Sequence, residues 1–353
     1  MKRTLIGAVC AAASLAASSS AMAAEQVNIG APAWTGAQAI AHLIKEVVEG
    51  RIGGQANLVP GNNASIFQAM DQGRGDIDVH PDVWLPNQES FTKKYVDGAG
   101  TVVLSDKYYE GKQSFCVARD FAEQNNVTSV FDLARPEVAE LMDSDGNGKG
   151  EIYGCPEDWT CDDIFSSNIA FAGWDNIEQT QAGYDAMFAE FLDKAVAGEP
   201  AAIYTWTPTA YLAQAIPGET TLWLSMANDS VLDDSNPTGV EGGADYSQRR
   251  DDGTVGYTGL GPDTCTQGPD GCQLGWLAAD IEITANKAWA DENPAAEALF
   301  EVFKPPLIDL AIAGVALSNS DGSQADVEAI ATQWIADNRA LADEWVAAAL
   351  AAA

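Results

Sequence analysis

The sequence predicts an α/β fold with two lobes. Strand-like and helix-like segments alternate from the N-terminal part of the chain onward, as expected for a sheet covered by helices. The chain has 353 residues, which at ~100–200 residues per domain indicates about two domains. Hydrophobic residues make up 46% of the chain and 10 residues are Trp, so a substantial core is available and a disordered chain is excluded.

The N-terminal third contains three strand-like runs, at residues 27–34, 56–59 and 77–83. A helix is predicted to open at Thr35, with its apolar residues at helical spacing, and a second one over 65–72. Trp34 ends the first run and Trp84 follows the third. Ligands of α/β proteins bind at such strand ends, so these tryptophans are candidate site residues.

A second set of elements begins near residue 114. We predict a strand at 114–118, a helix near 130–142, a loop at 143–163, a helix at 180–196 and a strand at 201–205 that runs into Trp206. A loop-rich stretch at 227–273 precedes a strand at 280–284 and helices at 285–303 and 324–350. With crossings near 112–116 and 277–283, lobe one would comprise residues 24–113 plus 281–353, and lobe two residues 114–280.

The N-terminus has the three parts of a signal peptide. Lys2 and Arg3 precede an apolar run from Leu5 to Ala17, and Ala21-Met22-Ala23 is a small-x-small cleavage site. The apolar run is too short to span a bilayer. We therefore expect residues 1–23 to be removed and the product to be exported.

The formal net charge is −34. A chain this acidic repels phosphate backbones and anionic lipids, which argues against nucleic acid and membrane-surface partners. Such an excess also suits salty surroundings, where self-repulsion is screened. The two histidines, His42 and His80, leave little room for histidine-based metal or triad chemistry.

Export changes how the cysteines are interpreted. Cys155 and Cys161, and likewise Cys265 and Cys272, enclose short loops, which suits local disulfides in an oxidising compartment. Cys116 lies in a strand-like run and is predicted to be a buried thiol. Zinc is a weaker alternative, because these spacings lack a clear second ligand pair.

Four tryptophans are flanked by Pro, Gly, Thr or acidic residues at strand ends or in tight loops: Trp34, Trp84, Trp159 and Trp206. Facing indole rings can hold a methylated ammonium group by cation–π attraction, worth ~2 kcal/mol or more when desolvated. The alternative is that they are core or sugar-stacking residues. Trp174, Trp289, Trp334 and Trp345 lie in helical or amphipathic contexts, and we predict that they are core residues.

Four runs carry a resemblance to a known family: Trp84-Leu85-Pro86, the loop Gly154 to Cys161, Trp206-Thr207-Pro208, and Ala285 to Pro294. Together they resemble the glycine betaine-binding proteins of ABC importers, over essentially the whole chain after the signal peptide. The tryptophan motifs also occur in the family's order.

The resemblance implies a two-lobed periplasmic-binding-protein fold (type II) with a ligand cleft between the lobes. It implies that Trp84, Trp159 and Trp206 form the family's aromatic box, to which Trp34 would add a fourth wall. It also implies a bridge between Cys155 and Cys161, a periplasmic monomer, a membrane permease as partner, and no enzymatic activity.

Two departures from the family bear on the ligand. Gln88 stands where the family often has a histidine that helps to hold the ligand carboxylate, and Glu157 and Asp158 replace small residues before Trp159. A carboxylate of Glu157 in the pocket would repel the carboxylate of glycine betaine. It could, however, share a proton with the oxygen of trimethylamine N-oxide or accept a hydrogen bond from the hydroxyl of choline. This makes the chain similar to trimethylamine N-oxide-binding members, with Glu157 as the polar anchor. If Glu157 faces solvent, glycine betaine is the alternative.

An acidic loop resembles the start of a calcium-binding loop, with oxygen ligands at alternate positions and Gly at the sixth. The candidate ligands are Asp143, Asp145, Asn147, Lys149 through its carbonyl, and Glu151. The twelfth position is Gly154 rather than Glu, so Asp162 or Asp163 would have to complete the shell. We expect a structural Ca²⁺ that stiffens the loop carrying Trp159; the alternative is a solvated turn.

Enzymatic function has little support. Tryptophan platforms and abundant carboxylates would suit a secreted glycosidase or a glycan-binding protein, but no carboxylate pair is singled out by its spacing. The sequence has no Gly-x-Ser-x-Gly, phosphate-binding glycine loop or zinc motif.

Overall fold

The computed structural model of the chain describes residues 26–85, 87–106, 109–224, 279–306 and 324–352. The predicted signal peptide, the loop-rich stretch 227–273 and the pair Cys265 and Cys272 lie outside these residues.

The described residues form ten strands and twelve α-helices, with short π- and 3₁₀-helical turns between some of them. The strands are β1 Gln26–Ala31, β2 Gln55–Pro60, β3 Val79–Leu85, β4 Val102–Leu104, β5 Tyr109–Ala118, β6 Gly150–Tyr153, β7 Ile177–Thr180, β8 Ala202–Thr207, β9 Thr221–Trp223 and β10 Ala279–Asn286. The helices are α1 Thr35–Val47, α2 Asn63–Gln72, α3 Glu89–Thr92, α4 Arg119–Asn125, α5 Val130–Leu133, α6 Pro136–Met142, α7 Thr160–Ala172, α8 Tyr184–Ala197, α9 Lys287–Glu292, α10 Pro294–Val302, α11 Gln324–Asp337 and α12 Arg339–Ala352.

The strands follow the order β2-β1-β3-β10-β5-β8-β6-β7, with β4 beside β10 and β9 beside β5. Strand β5 joins the two halves of this sheet. Its residues 109–111 pair antiparallel with 279–281 of β10, and its residues 112–117 pair antiparallel with β8. Each half is mixed α/β, and the whole is a two-lobed periplasmic-binding-protein fold in which the chain crosses between lobes through β5 and returns to β10.

The local sequence explains where helices α1 and α2 of the first lobe form and which residues they bury. Helix α1 buries the residues that the sequence places at helical spacing: Ile40, Leu43, Ile44 and Val47. Helix α2 is capped by Asn62, whose side chain accepts a hydrogen bond from the backbone N of Ser65 at 2.9 Å. It ends at Gly73, whose φ of 59° is easily adopted by glycine.

Strand β3 occupies the centre of the first lobe. It pairs with β1 on one side and with β10 on the other, and residues 79–84 are all buried. A strand buried on both faces is typical of a sheet covered by helices.

On the outside of this lobe, Trp345 of α12 packs against Phe303 at 4.5 Å and lies parallel to Trp334 at 5.9 Å between ring centroids. Trp334, Trp345 and Trp174 are core residues as predicted, and Trp289 packs half-buried against the core.

Several predicted boundaries were wrong. The stretch 143–163 is not all loop, since it contains β6 and the start of α7, and the helix predicted from 180 begins only at Tyr184. The helices predicted over 130–142 and 285–303 are each divided before a proline that starts a new helix, Pro136 and Pro294. Proline is favoured in the first helical turn, where its missing N–H costs nothing.

Candidate functional site

The four predicted cage tryptophans line one cavity of about 40 Å³ between the two halves of the sheet. Trp34 follows β1 and Trp84 belongs to β3, whereas Trp159 precedes α7 and Trp206 belongs to β8. All four are buried or half-buried. The structure therefore brings together the residues that the sequence singles out, two from each half.

Trp159 is central to the arrangement of the rings. Its ring lies edge-on to Trp34, at 5.7 Å and 72°, and edge-on to Trp206, at 5.3 Å and 76°. Because these indole rings are steeply inclined to one another, their faces enclose the cavity from different directions. This is the geometry that a methylated cation requires, because the attraction acts over the negative ring faces.

A second layer of aromatic rings supports the cage from the side of β8 and α8. Tyr184 stacks on Trp159 at 5.6 Å and 12°, and lies edge-on to Trp206 at 4.7 Å. Its hydroxyl donates to the backbone O of Tyr204 at 2.6 Å, and burial raises the pKa of Tyr184 well above its ordinary value. Sequence reasoning missed this residue, because it begins a helix and nothing local marks it as a neighbour of the cage.

A carboxylate supports the cage from the other side. The indole Nε1 atoms of Trp34 and Trp84 both donate to Oδ2 of Asp82, the latter at 3.1 Å, and the hydroxyl of Tyr109 donates to Oδ1 at 2.8 Å. Trp84 also lies so close to Gly111 that a Cβ there would overlap its ring. Sequence reasoning missed Asp82, although residues two apart in a strand face the same side.

The polar side chains that line the cavity are neutral in the described part of the chain: Asn63, Asn87, Gln88, Gln113, Thr160 and Tyr204. Asn87 and Gln113 exchange two hydrogen bonds, at 2.6 and 3.0 Å, and the Tyr204 hydroxyl donates to Gln113 Oε1 at 2.8 Å. Gln88 is buried, and its Oε1, an acceptor, has no hydrogen-bond partner among the described residues. This oxygen could accept a hydrogen bond from a ligand, and the Nε2 group of the same side chain could donate one.

Glu157 does not line the cavity, which differs from its predicted role as the polar anchor. Its side chain is exposed, as is that of Asp158. The backbone N of Trp159 donates to the O of Pro156 at 3.0 Å, so the chain makes a tight turn over Glu157 and Asp158 that directs Trp159 inward and leaves both acids outside. The spacing of these residues did not reveal which side of the turn they occupy.

The predicted disulfide between Cys155 and Cys161 is confirmed, with Cα atoms 5.8 Å apart. It closes the turn that carries Trp159, and Cys161 itself lines the cavity. Cys116 is a buried free thiol, also as predicted, and burial raises its pKa.

Residues 25–337 match the family described as the substrate binding domain of ABC-type glycine betaine transport systems. The chain belongs to this family. It is similar to the glycine betaine/proline betaine-binding periplasmic protein of Salmonella typhimurium, with 30% identity over 241 residues, and to the glycine betaine-binding periplasmic protein of Dickeya dadantii, with 29% over 242 residues. Each alignment covers 68% of this chain, and the chain spans about 65% of the length of these curated relatives.

Two solved structures of binding proteins share the fold. An ABC-transporter choline-binding protein in complex with choline has a TM-score of 0.67 and 17% identity, and covers 93% of this chain and 96% of its own. The lactococcal OpuAC protein in its closed form with glycine betaine has a TM-score of 0.63 and 16% identity, and covers 91% and 99%.

The predicted calcium-binding loop lies away from the cavity, before β6. The carboxylate oxygens of Asp143, Asp145 and Glu151 lie within 4.8 Å of one another, and neither Asp162 nor Asp163 joins this group. Asn147 is held by a hydrogen bond from its side-chain amide to Glu178 at 2.7 Å, and Lys149 pairs with the same carboxylate at 3.5 Å. Three converging carboxylates fit a hard cation such as Ca²⁺, which prefers oxygen ligands.

Within the described ranges, no helix has both the length and the apolar character needed to cross a membrane.

Proposed function

We propose that this family member is the exported substrate-binding component of an ABC importer, and that it captures a small methylated ammonium compound between its lobes. The observation that carries the proposal is the convergence of four indole rings on one cavity, which has no charged side chain among the described residues that line it. Its relatives are periplasmic proteins that bind glycine betaine. As a member of a family of substrate-binding domains, the chain acts by binding and not by catalysis.

Trimethylamine N-oxide is the ligand we favour, with the Nε2–H group of Gln88, in place of Glu157, as the hydrogen-bond donor to its oxygen. The N-oxide is smaller than glycine betaine or choline, which suits a cavity of about 40 Å³. Its oxygen accepts hydrogen bonds and is satisfied by a neutral amide donor, whereas a ligand carboxylate gains most from a cation. Among the described residues that line the cavity, none is Lys or Arg.

Ligand entry would be coupled to closure of the two lobes, proposed as residues 24–113 plus 281–353 and residues 114–280. The cage takes two walls from each lobe, so only the closed form surrounds the ligand. The closed complex would then be recognised by a membrane permease. We propose that it works as a monomer, since all four tryptophan walls of the cage come from one chain.

We also propose that the acidic loop binds a structural Ca²⁺, with Asp143, Asp145 and Glu151 as carboxylate ligands. This support rests on their convergence and on the preference of Ca²⁺ for such oxygens. The ion would stiffen the segment that leads into β6 and the turn that carries Trp159.

Calorimetric titration of the mature protein with trimethylamine N-oxide, choline and glycine betaine in parallel tests the main proposal. We expect the N-oxide to bind most tightly. A preference for glycine betaine would keep the cage but overturn the N-oxide assignment. If none of the three bound, the transport function itself would be rejected, and a shift of the melting temperature by soluble glycans would favour a glycan-binding protein.

A further inference from the structure

Two of the four cage walls share a single hydrogen-bond acceptor. The Nε1–H groups of Trp34 and Trp84 both point at Oδ2 of Asp82, although the two tryptophans belong to different segments of the first lobe. An indole ring rotates about two side-chain bonds, and its N–H is its only polar group. Anchoring that group fixes the plane of the ring, so one carboxylate sets the orientation of both walls.

The carboxylate is itself fixed in place. Asp82 lies on the central strand β3 and is completely buried, and the Tyr109 hydroxyl donates to its second oxygen at 2.8 Å. Its backbone N donates to Nδ1 of His80 at 3.2 Å, and the other ring nitrogen of His80 lies 2.9 Å from Oδ1 of Asn63, which lines the cavity. A side chain held at both oxygens and at its backbone has little freedom to reorient.

Asp82 does not line the cavity, but the rings that it holds do. Two indole N–H groups and one hydroxyl donate to its two oxygens, which favours the ionised carboxylate, so Asp82 acts on a ligand through the indoles and through its charge. A hydrogen bond from a ring N–H to an anion is charge-assisted, and hydrogen-bonded groups polarise one another. The negative charge drawn to the N–H edge leaves the indole face more attractive to a cation, and in a poorly solvated site the carboxylate also attracts the cation directly.

We infer that Asp82 is the positioning residue of the cage: it orients Trp34 and Trp84 and makes the site selective for the positive charge of a ligand, beyond its shape. The inference rests on the proposed function, since it presumes that the cage binds methylated ammonium groups. It assigns a role to a residue that never touches the ligand.

The test compares ligands of similar shape and different charge. Tetramethylammonium carries a full positive charge, trimethylamine N-oxide a dipole, and tert-butyl alcohol neither. The affinity of the parent protein and of Asp82→Asn for each would be measured by calorimetry, with weak ligands measured by displacement. We expect Asp82→Asn to lower the affinity for tetramethylammonium by more than about tenfold, and to lower that for the N-oxide and the alcohol by progressively less.

Equal losses for tetramethylammonium and the N-oxide would overturn the inference, because a residue that only shapes the cavity does not distinguish ligand charge. Unchanged affinity would overturn it as well. Failure of the proposed function has a different signature, in which the parent protein binds none of the methylated compounds.

A second measurement covers the case in which Asp82→Asn does not fold. In the parent protein, nuclear magnetic resonance of the indole N–H groups is expected to show two signals that exchange slowly with solvent and move on addition of tetramethylammonium. Trp34→Phe and Trp84→Phe assign them, since each removes one N–H and keeps an aromatic ring. If neither substitution removed a protected signal, the shared hydrogen bonds would be absent and the inference would fall.

Discussion

Trp34 lies edge-on to Trp159, with ring centroids 5.7 Å apart, although the two residues are supplied by opposite halves of the sheet. Trp34 is oriented by Asp82 behind it, and Trp159 by the parallel ring of Tyr184. The contact therefore joins two separately supported units. It ties the geometry of the cage to the relative position of the lobes, so opening of the lobes would dismantle the site.

Trp159→Ala is expected to weaken binding of the cage ligand by at least about thirtyfold, corresponding to ~2 kcal/mol for one desolvated cation–π contact. The reason is that Trp159 contacts both Trp34 and Trp206, so its removal opens the cage on two sides. Calorimetry would measure the loss. Trp289→Ala is the matched control, because Trp289 is half-buried on α9 and stacks on Phe300 outside the cavity. Unaltered affinity of the Trp159 variant would contradict the cage.

The cage walls could be predicted from sequence because each follows or ends a strand-like run or occupies a tight loop closed by a local disulfide. These are signals within a few residues. Gln88 was also noticed, as a departure from the family. The supporting residues Tyr184 and Gln113 were missed, because their roles depend on pairing between β5 and β8 and on the packing of α8. These contacts join residues that are distant in sequence, so no sequence pattern predicts them.

Asp82 and Glu157 also show that the position of a side chain relative to the cage is hard to predict from sequence. Both are acids two residues before a cage tryptophan. Asp82 belongs to a regular strand, where alternation places residues 82 and 84 on the same face. Glu157 belongs to a turn without such a rule, and its side chain is exposed. The sequence singled out the acid in the turn, whereas the structure buries the acid in the strand.

Gln88→Ala is expected to lower the affinity for trimethylamine N-oxide by roughly tenfold, as for loss of one hydrogen bond to a charged group. Gln88 is buried at the cavity, and the N-oxide oxygen could accept a hydrogen bond from its Nε2 group. Tetramethylammonium has no polar end, so its affinity should change little. Parallel titration of the two ligands separates the roles, and equal losses would show that Gln88 only shapes the cavity.

The acidic loop predicts a dependence of stability on calcium. A chelator is expected to lower the melting temperature by several degrees, since an ion that binds only the folded state stabilises it by mass action. Asp145→Asn should abolish both the shift and the bound calcium measured by elemental analysis. Asp193→Asn, at an exposed position of α8, is the control that changes the net charge equally. If the parent protein held no calcium and did not respond to the chelator, the metal site would be discarded.

We expect the Cys155–Cys161 disulfide to contribute both to stability and to ligand affinity. Replacing Cys155 and Cys161 by Ser should lower the free energy of unfolding by about 2 kcal/mol, the value expected for a short closed loop. Affinity should fall too, because the bridge restrains the turn that carries Trp159. Denaturant unfolding and calorimetry measure the two effects. Unchanged affinity in the variant that lacks Cys155 and Cys161 would contradict the contribution to affinity.

Because the pKa of His80 is lowered in the folded protein, we expect the free energy of unfolding to decrease in mild acid. Complete burial lowers its pKa from 6.5 to about 3, because its neutral ring accepts from the backbone N of Asp82 and faces Asn63 without room for a hydrated charge. Below pH 6.5 the unfolded chain binds a proton at this residue and the folded chain does not. Stability should therefore be unaffected by His80 above pH 6.5 and should fall as the pH drops toward 3, by up to about 1.4 kcal/mol per pH unit.

Denaturant unfolding between pH 7 and 5 would measure this slope in a window above the titration of most carboxylates, roughly pH 4. His80→Gln is expected to flatten it by up to about one proton, provided that the variant folds. His42→Gln is the control for ligand affinity: burial also lowers the pKa of His42, so this variant should flatten the slope too, but the residue lies on α1 and does not line the cavity. A loss of ligand affinity is expected only as the pH approaches 3 and only where His80 is present, since protonating it would disturb Asp82 and the two indoles that Asp82 holds. An unchanged slope in His80→Gln would show that the imidazole is protonated equally in the folded and unfolded states.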